Sequence, residues 1–319
     1  MTSIIQTGSL SRRYGRTEAV HDLTLSVPEG AVFAFVGPNG AGKTTTIKTM
    51  MNILEPSSGR ATVLGRDSRR LGPAEFRQIG YVSENQDMPG WMTIKDLLDY
   101  CAPFYPTWDA AFAEDLRRRL DLPLGRKLKD FSRGMRMKAA LLSSLAYRPK
   151  LLVLDEPFAG LDALVRDEFI QGILELAEQA QWSVFISSHD IDEVERLADW
   201  IGVINDGRLY LAEPVASLIG RFRQIEATFE GDAVLPRPLP EHWLSAEAAG
   251  HTLRVVDAKA GEPGGEEKVR QALGGATRVD VSPMPLKAIF MALARTFRSR
   301  GAADRAEAAA GRPGEERRR

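Results

Sequence analysis

Gly37-Pro38-Asn39-Gly40-Ala41-Gly42-Lys43-Thr44 decides how this chain is read. The stretch satisfies G-x-x-x-x-G-K-[ST] at every constrained position. The run Ala-Val-Phe-Ala-Phe-Val at 31–36 precedes it, bounded by Gly30 and Gly37, and reads as a buried strand. From Thr44 to Met51 the texture is that of an opening helix. A loop at such a junction holds phosphate, because glycines let several N–H groups converge on one anion and the helix dipole adds partial positive charge. Lys43 is placed to reach the β- and γ-phosphates, and the Thr44 hydroxyl to ligate Mg²⁺.

The chain has 319 residues, enough for one large domain and a smaller one. Its 43 acidic and 42 basic residues nearly cancel, so bulk charge points to neither nucleic acid nor an anionic membrane. An apolar fraction of 44% is ordinary for a soluble globular protein. No apolar stretch approaches the roughly 18 residues of a bilayer span. Residues 1–8 lack a basic region followed by an apolar core, so no secretion signal is expected. The single cysteine, Cys101, forms no internal disulfide, fits a reducing cytosol, and is expected to be a packed helical side chain.

Residues 3–30 read as two strands joined by a turn that contains Tyr14. On its own Tyr14 is either a surface tyrosine or a flat platform for a base, worth ~1–3 kcal/mol by stacking. Strand-like runs follow at 61–64 and 79–82, then the polar residues 83–87. From about 93 to 147 the texture is helical. Thr93 caps a first helix, 108–120 reads as a second, and Ser132 caps a third. Trp91, between turn residues, is either a core plug or part of a groove for a partner helix. Leu151 to Leu154 then ends on Asp155 and Glu156. An acid at the end of an apolar strand suits a magnesium water shell, and the adjoining Glu156 is placed to polarise an attacking water. The strand 184–188 delivers His189, which by itself reads as either structural or catalytic.

In this order the pieces resemble the ATP-binding cassette (ABC) ATPases, the motor subunits of ABC transporters, over about residues 3–215. The resemblance implies an α/β P-loop NTPase cassette, a mixed sheet core with a helical subdomain, occupying 1–218 with its insert at about 88–148. Residues 37–45 look like Walker A, so that Gly37, Asn39, Gly40, Ala41, Gly42, Lys43, Thr44 and Thr45 would bind ATP. Tyr14 falls at the adenine-stacking position. Residues 151–156 look like Walker B, 159–162 like the D-loop, and His189 like the switch histidine. Glu156, His189 and Lys43 are then the catalytic set, with Thr44, Asp155 and Glu84 at Mg²⁺.

Two positions depart from the family pattern. The signature, usually LSGGQ, is Phe131-Ser132-Arg133-Gly134-Met135. Ser132 and Gly134 remain available to the nucleotide of an opposing subunit, while Arg133 either adds positive charge near phosphate or projects into water, the second being the expectation. The Q-loop glutamine position holds Glu84, with Gln86 two residues on, and which of them serves stays open. One P-loop and no internal repeat imply a second cassette from another chain, in a homodimer or heterodimer. Transmembrane permease subunits are the other implied partner, with the groove near Glu84–Trp91 passing on the motion. This places the chain at the cytoplasmic face of the cell membrane, peripherally, with no nucleic acid expected. The alternative is a soluble ABC ATPase of DNA repair or translation, but the long coiled-coil insert or tandem cassettes of such proteins are missing. Residues 219–298 read as a small C-terminal α/β accessory domain, a feature of subunits resembling the ABC-2 type exporters. Residues 299–319 read as a disordered tail.

Overall fold

A computed structural model describes residues 2–84, 86–180, 182–236 and 238–296; the expected tail at 299–319 lies outside the described residues. Strands of two textures organise its larger part. After β1 (Ser3–Tyr14), strand β2 (Thr17–Pro28) alternates buried and solvent-facing positions from Leu23 to Val27, while β3 (Val32–Val36) is buried throughout. Alternation marks a sheet with one wet face, and a continuous apolar strand marks a parallel sheet covered on both faces. Helix α1 (Lys43–Met50) follows, then β4 (Ser58–Val63), β5 (Arg66–Asp67), the single turn α2 (Pro73–Phe76) and β6 (Ile79–Ser83). The helical insert holds α3 (Ile94–Cys101), α4 (Ala110–Arg119) and α5 (Arg133–Leu145). Next come β7 (Leu151–Asp155), α6 (Ala163–Ala180), β8 (Ser183–Ser188), α7 (Ile191–Leu197), β9 (Trp200–Asn205) and β10 (Arg208–Pro214).

The central sheet runs β10-β9-β3-β8-β7-β6, parallel except for the antiparallel edge strand β10. Its register sets Val36 beside Ser188, and Asp155 beside both Ser187 and Ser83. The polar residues therefore gather at the carboxyl ends of neighbouring strands, where open α/β sheets place their ligand sites. A second, antiparallel sheet has the order β2-β1-β4-β5. Side chains from both sheets and α1 share one core, with Leu23, Leu25, Ile47 and Met50 packed around Phe33, Phe35 and Phe185. Phe33 stacks on Phe185 with ring centroids 5.6 Å apart. Each such buried apolar side chain contributes about 1.5–3 kcal/mol by leaving water.

Caps punctuate the insert. Thr93 Oγ1 accepts from the Asp96 N–H, while Asp96 returns a carboxylate to the Thr93 N–H. Asp109 accepts from the Phe112 N–H, and Ser132 from the Met135 N–H. Each cap is worth ~1 kcal/mol. The core plug of the 88–94 segment is Met92 with Ile94, not Trp91, which is 68% exposed. Beside it a cavity of about 320 Å³ is lined by Tyr81, Met88, Met92, Leu97, Tyr100 and Tyr147. Cys101 borders the same cavity, and burial raises its thiol pKa, which keeps it a packing residue.

One compact unit ends at Pro214 and a second begins at Val215, slightly before the expected division at 218. The second unit comprises α8 (Val215–Arg221), β11 (Arg223–Thr228), β12 (Trp243–Ala249), β13 (Thr252–Asp257), α9 (Gly265–Ala272), β14 (Arg278–Pro283) and α10 (286–296). Helix α8 goes with this unit because the Arg221 carbonyl accepts from the Gly261 N–H and the Arg221 guanidinium donates to the Ala258 carbonyl. The antiparallel sheet order is β12-β13-β11-β14, and Ile225, Leu253, Val255, Val269 and Leu273 form its core. Fully buried Asp257 accepts from the Trp243 indole and from the N–H groups of Lys259 and Ala260, so its charge is satisfied structurally.

Candidate functional site

The loop after β3 is pinned by backbone on both sides. A Cβ on Gly37 would lie 2.1 Å from the Ile204 carbonyl oxygen. One on Gly42 would lie 2.4 Å from the Ala19 carbonyl oxygen, and Gly42 also sits at φ 104°, where side chains are strained. The Gly37 N–H donates to the Ser188 carbonyl, and the Ala41 carbonyl accepts from the Gly207 N–H. Between these anchors Asn39 and Gly40 are exposed while Ala41 is buried. Helix α1 begins directly after Gly42, so the first-turn N–H groups of Lys43, Thr44 and Thr45 have no acceptor within the helix.

Lys43 is 5% exposed, and its ammonium donates to the carbonyls of Gly37 (2.7 Å) and Pro38 (3.1 Å) while pairing with Glu156 Oε1 at 3.0 Å. An ammonium has three hydrogens, and these three acceptors use them all. The Thr44 hydroxyl donates to Asp155 Oδ1 (3.0 Å), which also accepts from the Ser187 hydroxyl (2.8 Å). Burial raises the Asp155 pKa, against the lowering effect of those two hydroxyls. A buried carboxylate met by neutral hydroxyls, next to a threonine oxygen, is the hard-oxygen donor set that magnesium prefers.

Glu156 follows with φ +52°, a left-handed conformation that costs a non-glycine residue about 1–3 kcal/mol. Its N–H donates to Ser187 Oγ at 3.0 Å, which secures that turn. Its second carboxylate oxygen lies 2.8 Å from His189 Nδ1. An ionised carboxylate only accepts, so Nδ1 carries the proton and Nε2 points elsewhere. Thr44, Asp155, Glu156 and Glu84 line one cavity of about 340 Å³, together with Lys48 and Gln86.

The structure thus brings together Lys43 and Thr44 from the start of α1, Asp155 and Glu156 from the end of β7 and just beyond it, and His189 from just after β8. Other expected residues lie outside that hydrogen-bonded cluster, although Glu84 borders the same cavity. Tyr14 is 45% exposed, with the Arg12 guanidinium 4.9 Å from its ring centroid, leaving one ring face open. Ser132 spends its hydroxyl on the α5 cap. Gly134 packs on α6, where a Cβ would come within 2.9 Å of Val165. Arg133, expected in water, is instead paired with Glu84, because the loop after β6 brings a carboxylate within its reach. Glu84, expected at the metal, is correspondingly engaged by that arginine.

Two serines at the end of β8 were not singled out by sequence reasoning. Ser187 ties Asp155 to the Glu156 turn. Ser188 donates to buried Glu193 at 2.6 Å and accepts from the Asp190 N–H, fixing the backbone on both sides of His189. The available signal is a pair of hydroxyls ending a strand that is buried throughout, since buried polar groups need partners. Ser187→Ala leaves the Glu156 N–H unpaired and is expected to destabilise the fold by about 1–3 kcal/mol. Denaturant unfolding checks this; an unchanged midpoint would contradict the tie.

Comparison with known proteins follows the same lines. A family model described as ABC transporter matches residues 20–159. The bacitracin transport ATP-binding protein BcrA of Bacillus licheniformis is 31% identical over 226 residues, 70% of this chain and 74% of that one. The ABC transporter ATP-binding protein YtrB of Bacillus subtilis is 28% identical over 232 residues, 73% of this chain and 79% of that one. Among solved structures, an ATP-binding subunit of an ABC transporter superposes with a TM-score of 0.62 at 26% identity, covering 68% of this chain and 92% of the other.

Proposed function

This chain belongs to the ABC transporter family as an ATP-binding, ATP-hydrolysing subunit, and from that premise we propose that it pairs with a second cassette to drive a separate membrane-spanning exporter. The observation that carries the mechanism is the double hold on Glu156, by Lys43 at 3.0 Å and His189 at 2.8 Å. Incoming phosphate competes for both donors. Lys43 keeps the Gly37 and Pro38 carbonyls and exchanges its third acceptor, the Glu156 carboxylate, for phosphate oxygen. The released carboxylate then serves as general base toward water, and His189 turns to the terminal phosphoryl group. Binding and activation of the base are coupled through one shared ammonium.

Thr44 and Asp155 are the residues that would hold Mg²⁺, whose charge offsets that of the triphosphate. Tyr14 offers its open face to adenine, and Ser132 and Gly134 meet the nucleotide of the opposing cassette. Among the described residues no helix is long and apolar enough to cross a membrane; the proposed place of the chain is peripheral, at the cytoplasmic face of the membrane that holds its permease. The groove beside Met88 and Met92, flanked by exposed Trp91 and Tyr100, is the surface assigned to the permease. Export is favoured by the similarity to a bacitracin transport protein and by the accessory unit after Pro214. No observation favours the soluble DNA-repair or translation reading.

Affinity isolation of the full chain from detergent-solubilised membranes tests the assignment. The expected companion is a polypeptide with several membrane spans. Recovery from the soluble fraction alone, with no such companion, would contradict it.

A further inference from the structure

We infer that Arg133 is a positioning residue for the phosphate site of its own chain: it neutralises Glu84 beside the cavity that the polyanion would enter. The inference rests on the nucleotide-site reading above and deepens it. Arg133 occupies the first position of α5, and its guanidinium pairs with Glu84 on the loop after β6. The same guanidinium lies along the turn after β7, where a Cβ on Gly160 would sit 2.7 Å from Nη1. One side chain thereby spans three segments that converge on the site.

The main chain of Glu84 is tied to this site. Its N–H donates to the Asp155 carbonyl at 3.0 Å, which fixes its backbone to the strand that ends at the magnesium acid. Glu84 lines the same cavity as Asp155 and Glu156, so three acidic residues border the space that a triphosphate would enter. Without Arg133 the third acid is uncompensated. Folding stability does not explain the pair, because the side chains are 44% and 33% exposed and such ion pairs add little. Its effect falls on the potential at the phosphates. One unit charge across partly solvated protein changes affinity by about fivefold.

The test is equilibrium binding of MgATP to the full chain, followed by calorimetry at low salt and at about 0.5 M NaCl. Arg133→Gln is expected to weaken binding about fivefold at low salt, and Arg133→Lys, which keeps the charge, by less than twofold. Glu84→Gln is expected to tighten binding, because it frees a cation, and the double variant to return close to wild type. High salt should compress all these differences, since the Debye length there falls to a few ångström. An Arg133→Gln affinity equal to wild type would overturn the inference. So would weakening by both single variants, the pattern of a carboxylate serving the metal. If the wild-type chain takes up no MgATP at all, it is the nucleotide-site reading that fails, and this inference falls with it.

Discussion

Glu156→Gln is expected to retain MgATP binding while turnover falls by about 10²–10⁴, the usual contribution of a general base. The substitution preserves volume and leaves the Glu156 N–H on Ser187 intact, so the strained turn at φ +52° keeps its anchor. What disappears is the carboxylate that competes with phosphate for Lys43 at 3.0 Å and for His189 at 2.8 Å. Affinity for MgATP should therefore hold or rise as the rate collapses. Phosphate release and nucleotide binding, measured on the same preparation, separate the two effects. Wild-type turnover would mean that another group takes the proton; equal losses of binding and rate would mean that Glu156 serves only to hold Lys43.

The second large effect is on binding itself. Lys43→Ala removes a 5%-exposed cation and leaves the Gly37 and Pro38 carbonyls and the Glu156 carboxylate without their shared donor. Truncating one partner of a buried charge pair costs 2–5 kcal/mol, so MgATP affinity should fall by at least about thirtyfold. The melting temperature of the wild-type chain should rise with MgATP concentration by mass action, and that of Lys43→Ala should stay flat over the same range. A rise of equal size in both would remove Lys43 from the phosphate cradle.

These residues were legible because steric demand constrains them locally. Gly37 and Gly42 admit no Cβ, Lys43 and Thr44 follow within a single turn, and Asp155 ends an unbroken apolar strand. Parallel pairing of β3, β8 and β7 then carries Ser188, Ser187 and Asp155 to one end of the sheet without further information. What escaped the sequence depends on pairing at long range. Arg133 was expected in water because its partner is 49 residues away, on a loop whose path no local pattern reveals. Strand β12, Trp-Leu-Ser-Ala-Glu-Ala-Ala, is rich in residues that disfavour strands, and it forms because β13 supplies a register for it from Trp243 to Ala249. The edge strand β10 and its neighbour β9 went unplaced for the same reason: β9 gains definition only against β3, and β10 only against β9.

Asp155 carries the remaining weight. Its burial beside Thr44 supplies the negative charge that a magnesium-bound triphosphate would meet while the glycine loop and Lys43 take the phosphates. Calorimetric titration of the purified chain with ATP, with and without magnesium, asks for this arrangement directly. The account predicts saturable uptake that weakens when magnesium is withheld. No uptake at millimolar ATP in the presence of magnesium would contradict it.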